Sequence, residues 1–180
     1  MGVFETLRIR NAQAADQEAI RSVALAAYEQ YASDLPKDRW DAYRESIARS
    51  VEGDGPEARL VAELGGRIVG SALLFVGSER AYGLPALHIE GPILRLLSVV
   101  PWARGRGVAT ALLREGVRRA RALNAPYLHL HTSDMMASAV KLYERLGFER
   151  AVDKDIQNGE TLVKCYRLKL EEASHLTLEA

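Results

Sequence analysis

The sequence predicts an α/β protein, a mixed sheet of about six to seven strands flanked by four helices with a parallel βαβ unit at its centre. Three observations carry this prediction. Residues 93–100 are apolar on both alternating faces apart from Arg95 and Ser98, the pattern of a strand covered on both sides. That strand stops at Pro101 and reopens through Arg104-Gly105-Arg106-Gly107 into a stretch whose Val108, Ala109, Leu112, Leu113, Val117 and Ala120 recur at helical spacing. Asn124 and Pro126 end the helix and Tyr127 to Thr132 returns as a strand, and strand, helix, strand makes a parallel pair.

The remaining elements follow in order. Thr6 to Arg10 alternate as a first strand, and Asp16 is placed to cap a helix with Ile20, Val23, Ala24, Ala27, Tyr28 and Tyr31 on one face. After a break at Ala32 to Lys37, Trp40, Tyr43, Ile47 and Val51 mark a second helix, with Asp38, Asp41 and Glu45 on its other faces. Residues 52–57 read as a loop. Residues 60–64 and 67–76 form a hairpin about Gly65-Gly66, which supplies the positive φ of a tight turn. Between Gly83 and Pro92, Leu87-His88-Ile89-Glu90 is read as the beginning of the central strand, with Gly91-Pro92 as a bulge. Thr132, Ser133 and Asp134 offer caps for a last helix that turns Ala139, Leu142, Tyr143 and Leu146 inward. Gly147 ends it in a left-handed cap, and Phe148 packs back. Two strands, Phe148 to Ile156 and Thr161 to Leu170, meet at Gln157-Asn158-Gly159. The whole of 1–180 reads as one domain, with 174–180 a frayed tail.

Composition excludes several function classes. With 24 basic and 24 acidic residues the net charge is zero, so nothing draws the chain to nucleic acid or an anionic membrane. Arg114, Arg118, Arg119 and Arg121 decorate the outer face of the third helix without an aromatic row, as a solvated face does. Cys165 is the single cysteine; it excludes an intrachain disulfide, suits a reducing compartment, and reads as a small packed residue in the C-terminal strand. No apolar leader or membrane-length apolar run is present, so a cytoplasmic protein is expected. Met1-Gly2 with Thr6 formally fits a myristoylation pattern, which is too short to be read as an anchor. His129 and His131 alternate onto one sheet face, but no third ligand has suitable spacing, and no metal is expected.

The glycine turn is where chemistry is expected. Gly105 and Gly107 permit backbone geometry that a Cβ resists, just where the first N–H groups of a helix point outward without partners. A helix N-terminus is also partially positive, so a pyrophosphate is the natural occupant, with Arg104 and Arg106 adding charge at the rim.

Arg104 to Ala109 fits the Q/R-x-x-G-x-G/A signature, and with the preceding strand end Leu97-Ser98-Val99 it resembles the GNAT N-acetyltransferase superfamily. Ala139 to Phe148 is similar to that family's A-x-x-L-Y-x-x-x-G-F helix end. Two motifs in order at the family's separation are more specific than either alone, and the resemblance covers nearly the whole chain. It implies transfer of an acetyl group from acetyl-CoA to a primary amine, on a small molecule or a peptide, with no metal. The backbone of Leu97, Ser98 and Val99 would pair with the pantetheine arm, and Arg104, Gly105, Arg106, Gly107, Val108, Ala109 and Thr110 would cradle the pyrophosphate. Tyr143 would serve as general acid to the thiolate, its phenol being protonated at neutral pH. The base is open: His131 stands where protein N-terminal acetyltransferases of the family place a glutamate on the fifth strand. Glu90 is the carboxylate near the fourth strand, with His88 two residues earlier, and a bound water is the third choice. Tyr31, Asp34, Trp40 and Tyr43 would border the acceptor. A homodimer is common in the family, though no feature of this sequence fixes it. One departure stands out: Met136 occupies the position, seven before the tyrosine, where many members carry asparagine, leaving Ser133 or Ser138 to substitute.

Two other nucleotide folds fail on spacing. Thr110 stands where a dinucleotide fingerprint needs its third glycine, and the GK[ST] ending of a P-loop is absent. The surviving alternative is a non-catalytic acyl-CoA-binding module of the same fold, favoured by Met136 and opposed by Tyr143.

Overall fold

The computed structural model describes residues 5–133 and 136–173. The myristoylation pattern at Met1-Gly2, the cap Asp134 and the tail from Ser174 lie outside them. The chain forms two compact units: one comprises the chain to Leu74 and Leu96–Glu115, the other Phe75–Arg95 and the chain from Gly116. The class is the expected α/β, with a mixed and mostly antiparallel strand pairing and, among the described residues, one parallel strand pair.

In the first unit β1 (Leu7–Asn11) runs antiparallel to β2 (Ala58–Leu64), and β2 to β3 (Arg67–Val76). Gly65 and Gly66 take φ of 59° and 80° at the hairpin, the turn that lets right-twisted strands stay paired. Helix α1 (Gln17–Tyr28) buries Ile20, Val23, Ala24, Ala27 and Tyr28, and α2 (Lys37–Glu52) buries Ile47 and Val51. Between them Glu29–Asp34 is a 3-10 segment. Asp16 precedes α1 but does not cap it with its side chain. Its carboxylate instead accepts the N–H of Gln13 at 2.7 Å and pairs with Arg10 at 2.7 Å, and Arg10 also reaches Glu63 at 2.7 Å. A strand cation held by two acids outcompetes the cap, and those contacts hold Asp16 well below the usual carboxylate range.

The last strand residues of β4 (Pro92–Val99) also belong to this unit, and the Val100 N–H donates to the Val69 carbonyl at 2.9 Å. Helix α4 (Val108–Ala122) starts here. A Cβ on Gly70 would lie 2.8 Å from Val108 Cγ1 and 3.1 Å from both Leu112 Cδ1 and the Ser98 carbonyl. Glycine at 70 is therefore what lets the first turns of α4 seat on β3.

In the second unit the strand order is β4, β5 (Tyr127–Thr132), β8 (Thr161–Lys169), β6 (Glu149–Arg150), with β7 (Ile156–Asn158) also on β8. The β4–β5 pair is parallel, Ile93 opposite His129 and Leu94 opposite Leu130, as the strand-helix-strand pattern requires. Helix α4 ends where predicted, with Asn124 left-handed at φ 57°. Helix α5 (Ala137–Arg145) turns Tyr143 inward.

Three expectations are corrected. Leu87 to Glu90 does not begin the central strand: Ser78–Tyr82 is a short helix, α3, Pro85–Leu87 is a 3-10 turn, and His88 is left-handed at φ 55°. Pairing of this stretch is local, with the Ser78 N–H on the Ile89 carbonyl at 2.7 Å and the Gly77 N–H on the Gly91 carbonyl at 2.9 Å, so β4 begins only at Pro92. The predicted strand Phe148 to Ile156 is split into β6 and β7 by a 3-10 turn at Val152–Lys154. Arg150 folds that turn over by gripping both oxygens of Asp155, at 2.6 and 2.7 Å. The residue capping α5 is Met136, without a side-chain bond.

His129, only 8 % exposed on β5, gives a test of this packing. Burial, with the charge of Arg167 next in weight, lowers its pKa from 6.5 to about 4. The unfolded chain therefore takes up this proton first: the neutral ring's contribution is whole above pH 6.5 and is lost as pH falls toward about 4. Chemical denaturation of the wild type should show stability dropping between pH 6.5 and 5, with a shallower drop in His129→Gln. Parallel curves would contradict the burial.

Candidate active site

The first unit carries the glycine turn. A 3-10 turn at Pro101–Ala103 drops the chain out of β4, anchored by the fully buried Ala103. Gly105 and Gly107 then take φ of 77° and 79°, and a Cβ built on either would meet nothing within 4 Å. The surface above both is open. The Ala111 N–H donates to the Gly107 carbonyl at 3.0 Å, so the N–H groups of Val108, Ala109 and Thr110 precede the helix ladder and have no acceptor within it. Four turns of aligned peptide dipoles stand behind them. The open cradle and its bare donors suit a diphosphate.

The rim arginines differ from the sequence picture. Arg104 lays its guanidinium on the end of α1, donating to Gln30 Oε1 at 3.1 Å and to the Ala27 carbonyl at 3.3 Å. Both acceptors are neutral, and the contact ties the turn to the helix that leads into Tyr31. Arg106 pairs with the exposed Glu5 at 3.3 Å. Upstream, Leu96 sits inside β4 at φ 50°. A leucine held there costs of order 1 kcal/mol, so the irregular backbone expected at Gly91-Pro92 is found at Leu96, inside β4. Ser98 Oγ donates to the Leu96 carbonyl at 2.9 Å and steadies this backbone, directly before Leu97, Ser98 and Val99.

The residues expected to border the acceptor form an aromatic row in this same unit. Ring centroids are 6.1 Å apart for Tyr28 and Tyr31, 5.9 Å for Tyr28 and Tyr43, and 6.1 Å for Trp40 and Tyr43. Tyr31, Trp40 and Tyr43 are half-buried, while Asp34 is exposed at the end of the 3-10 segment. Burial raises the Tyr31 phenol, partly offset by Arg104.

The second unit holds the titratable cluster. Tyr143 is 7 % exposed on α5, its ring 5.8 Å from Phe148, whose N–H donates to the Tyr143 carbonyl at 2.9 Å. Gly147 makes that return possible at φ 101°, so the L-Y-x-x-x-G-F motif is a device for fixing one phenol. His131 is held at both ring nitrogens: Nε2 lies 2.8 Å from the Lys154 carbonyl and Nδ1 2.9 Å from the Tyr82 hydroxyl. A carbonyl only accepts, so Nε2 carries the proton and the Nδ1 lone pair takes the Tyr82 O–H. Burial lowers the His131 pKa, although its bond to Lys154 and the charge of Asp155 oppose the shift. The ring is neutral at pH 7. Burial likewise raises the Tyr82 phenol, keeping it protonated, and Tyr82 lies within electrostatic reach of Tyr143.

Other expected residues stand apart. Glu90 is exposed in the loop before β4, and among the described residues no hydrogen bond or ion pair joins it to His131 or Tyr143. His88 is exposed, its carbonyl 3.3 Å from Lys154 Nζ. Ser138 is exposed on α5, whereas the hydroxyls of Thr132 and Ser133 are buried without a hydrogen-bond partner among the described residues. Of the two serines set against the Met136 departure, Ser133 is the one with an unused buried oxygen. Cys165 is fully buried, which pushes its thiol up to about 12 and leaves it inert. No three His, Cys, Asp or Glu among the described residues could hold a metal ion.

Sequence reasoning missed Tyr82 and Arg95. Tyr82 ends a five-residue helix, too short to show a period. Arg95 had a signal, a charge inside a run otherwise apolar on both faces. Its guanidinium lies 4.7 Å over the Tyr82 ring and 5.6 Å over Phe75, and Nη1 donates to the Ala81 carbonyl at 2.7 Å.

Comparison with known proteins agrees with this geometry. Residues 18–148 match the model of the acetyltransferase (GNAT) family. An acetyltransferase of Pectobacterium atrosepticum is 31 % identical over 110 residues, 61 % of this chain and 70 % of that protein. Among solved structures, the PaiA N-acetyltransferase of Thermoplasma acidophilum in complex with coenzyme A has a TM-score of 0.68 at 15 % identity, covering 91 % of this chain and 99 % of that one. YncA of Salmonella typhimurium, solved with its cofactor acetyl-CoA, has a TM-score of 0.60 at 21 % identity, covering 93 % and 95 %. At such identities the structural likeness shows the fold, and the family match extends over most of the sequence. With both motifs folded as their spacing requires, the chain belongs to the GNAT acetyltransferase family.

Proposed function

We propose that this acetyltransferase moves the acetyl group of acetyl-CoA to a primary amine by direct attack. The observation that carries the proposal is the open, doubly left-handed turn at Gly105 and Gly107, which leaves the N–H groups of Val108, Ala109 and Thr110 bare. Bound there, acetyl-CoA supplies a thioester already activated toward amines. The chain's own residues do the rest. The irregular backbone at Leu96 presents Leu97, Ser98 and Val99 as a strand edge to the pantetheine amides, and Ser133 is a buried hydroxyl available for the contact that Met136 cannot make. Tyr143, buried on α5, donates its phenol proton to the sulfur as it leaves.

The amine's proton passes through Tyr82. Its hydroxyl already donates to His131 Nδ1, so a proton arriving on the phenol oxygen is matched by one moving to the imidazole. The Lys154 carbonyl, accepting from Nε2, and the carboxylate of Asp155 steady the cation that results. Glu90, exposed in its loop, has no part in this route. The aromatic row of Tyr31, Trp40 and Tyr43, with Asp34 at its edge, borders the acceptor. A non-catalytic acyl-CoA carrier is the second reading, favoured by Met136; binding of acetyl-CoA with no thiol released from any amine would select it.

Two substitutions separate the parts. Tyr143→Phe should lower kcat on the order of 10²-fold with the Kd for CoA changed less than twofold; unchanged turnover removes Tyr143 from the reaction. Gly107→Glu forces a Cβ into φ 79° and sets a carboxylate against the diphosphate, so calorimetry should detect no CoA binding by a protein that still melts cooperatively. Retained affinity would move the diphosphate elsewhere.

A further inference from the structure

Two arginines of the second unit meet opposite fates. Arg150 is neutralised by Asp155 through two parallel hydrogen bonds and also donates to the Cys165 carbonyl at 2.8 Å. Arg95 is half-buried and, among the described residues, has no carboxylate within ion-pair distance. Its described partners are all neutral: the Ala81 carbonyl, the Tyr82 hydroxyl and two aromatic faces. Its remaining N–H donors lie in the planar fork that matches a carboxylate. A guanidinium withdrawn from water without an anion is costly, and burial of the charge is offset only when a partner completes it. The carboxylate that acts on His131, Asp155, cannot supply it, because both its oxygens are on Arg150.

The location of this cation says what would complete it. Arg95 and His131 each lie one residue past the Leu94–Leu130 pair of the parallel strands, and both contact Tyr82, Arg95 over its ring and His131 at its hydroxyl. No carboxylate among the described residues neutralises this guanidinium, and it lies over the ring of the phenol that, in the proposed function, takes the amine's proton. We infer that the acceptor carries a carboxylate beside its amine, as a free amino acid does, and that Arg95 holds that carboxylate while Tyr82 faces the amine. This rests on the acetyltransfer reading for its chemistry, but the carboxylate site is defined by Arg95 alone.

The experiment pairs each amino acid of a panel, α- and ω-amino, with its carboxamide, which keeps the amine and loses the charge. Thiol release from acetyl-CoA gives turnover. Calorimetry on the CoA-saturated protein gives binding of the corresponding N-acetyl amino acids and their amides. The expected result is kcat/KM favouring at least one acid over its amide on the order of tenfold to a hundredfold. In Arg95→Gln that preference collapses through KM for the acid, with KM for acetyl-CoA unchanged, and Arg95→Lys restores part of it. Amides turned over as well as acids, or an Arg95→Gln change that weakens both alike, overturns the inference and leaves acetyltransfer standing. No turnover of any amine, with N-acetyl amino acids still binding through Arg95, would sink acetyltransfer and uphold the carboxylate site. Neither turnover nor carboxylate-dependent binding removes both.

Discussion

An α-helix cannot satisfy its own first N–H groups, and in this protein that constraint organises the fold around one turn. The chain leaves β4 at Pro101 and must enter α4 within a few residues, and it does so by taking Gly105 and Gly107 into the left-handed region. With nothing within 4 Å of either would-be Cβ, the first turn of α4 faces open space with its donors bare. The surrounding choices protect this arrangement. Gly70 gives Val108 and Leu112 room to seat on β3, and Arg104 reaches back to α1, so the glycine turn and the helix leading to the aromatic row are tied by the same side chain.

In the second unit the decisive quantity is where charge is allowed to remain. Asp155 is pinned by Arg150 and by the Cys165 N–H at 2.7 Å, and this fixes the turn whose Lys154 carbonyl sets the tautomer of His131. His131 and Tyr82 are kept neutral by burial. Against that background Arg95, with no carboxylate within ion-pair distance among the described residues, is an exception, and hydrogen bonds and ring contacts hold it together with those two neutral groups. Such an arrangement can pass a proton without building up an uncompensated charge of its own.

Much of this was legible in the sequence, for reasons that can be named. The β4-turn-α4-β5 core could be read because a doubly covered strand, a proline, two glycines and a 3.6-residue stripe each leave a separate mark. The motif from Ala139 to Phe148 fixed Tyr143 because its glycine and phenylalanine have one geometric use. What stayed hidden was set by contacts distant in sequence. His88 to Glu90 are extended in composition yet folded by bonds to Gly77 and Ser78. The break at Val152 follows from Arg150 finding Asp155. Tyr82 meets its hydrogen-bond partner His131 49 residues away, and Arg95 meets the Tyr82 ring and the Ala81 carbonyl, on a short helix whose length leaves no period.

In the proposed function, backbone amides at the start of α4 bind the diphosphate of coenzyme A. The most direct test of this binding is a titration of the ¹⁵N-labelled protein with CoA, following backbone amide resonances. The largest shifts should fall on Gly105, Arg106, Gly107, Val108 and Ala109, saturating together with those of Leu97 to Val99. Saturable shifts confined to other segments, or no shifts at millimolar CoA, would contradict the account.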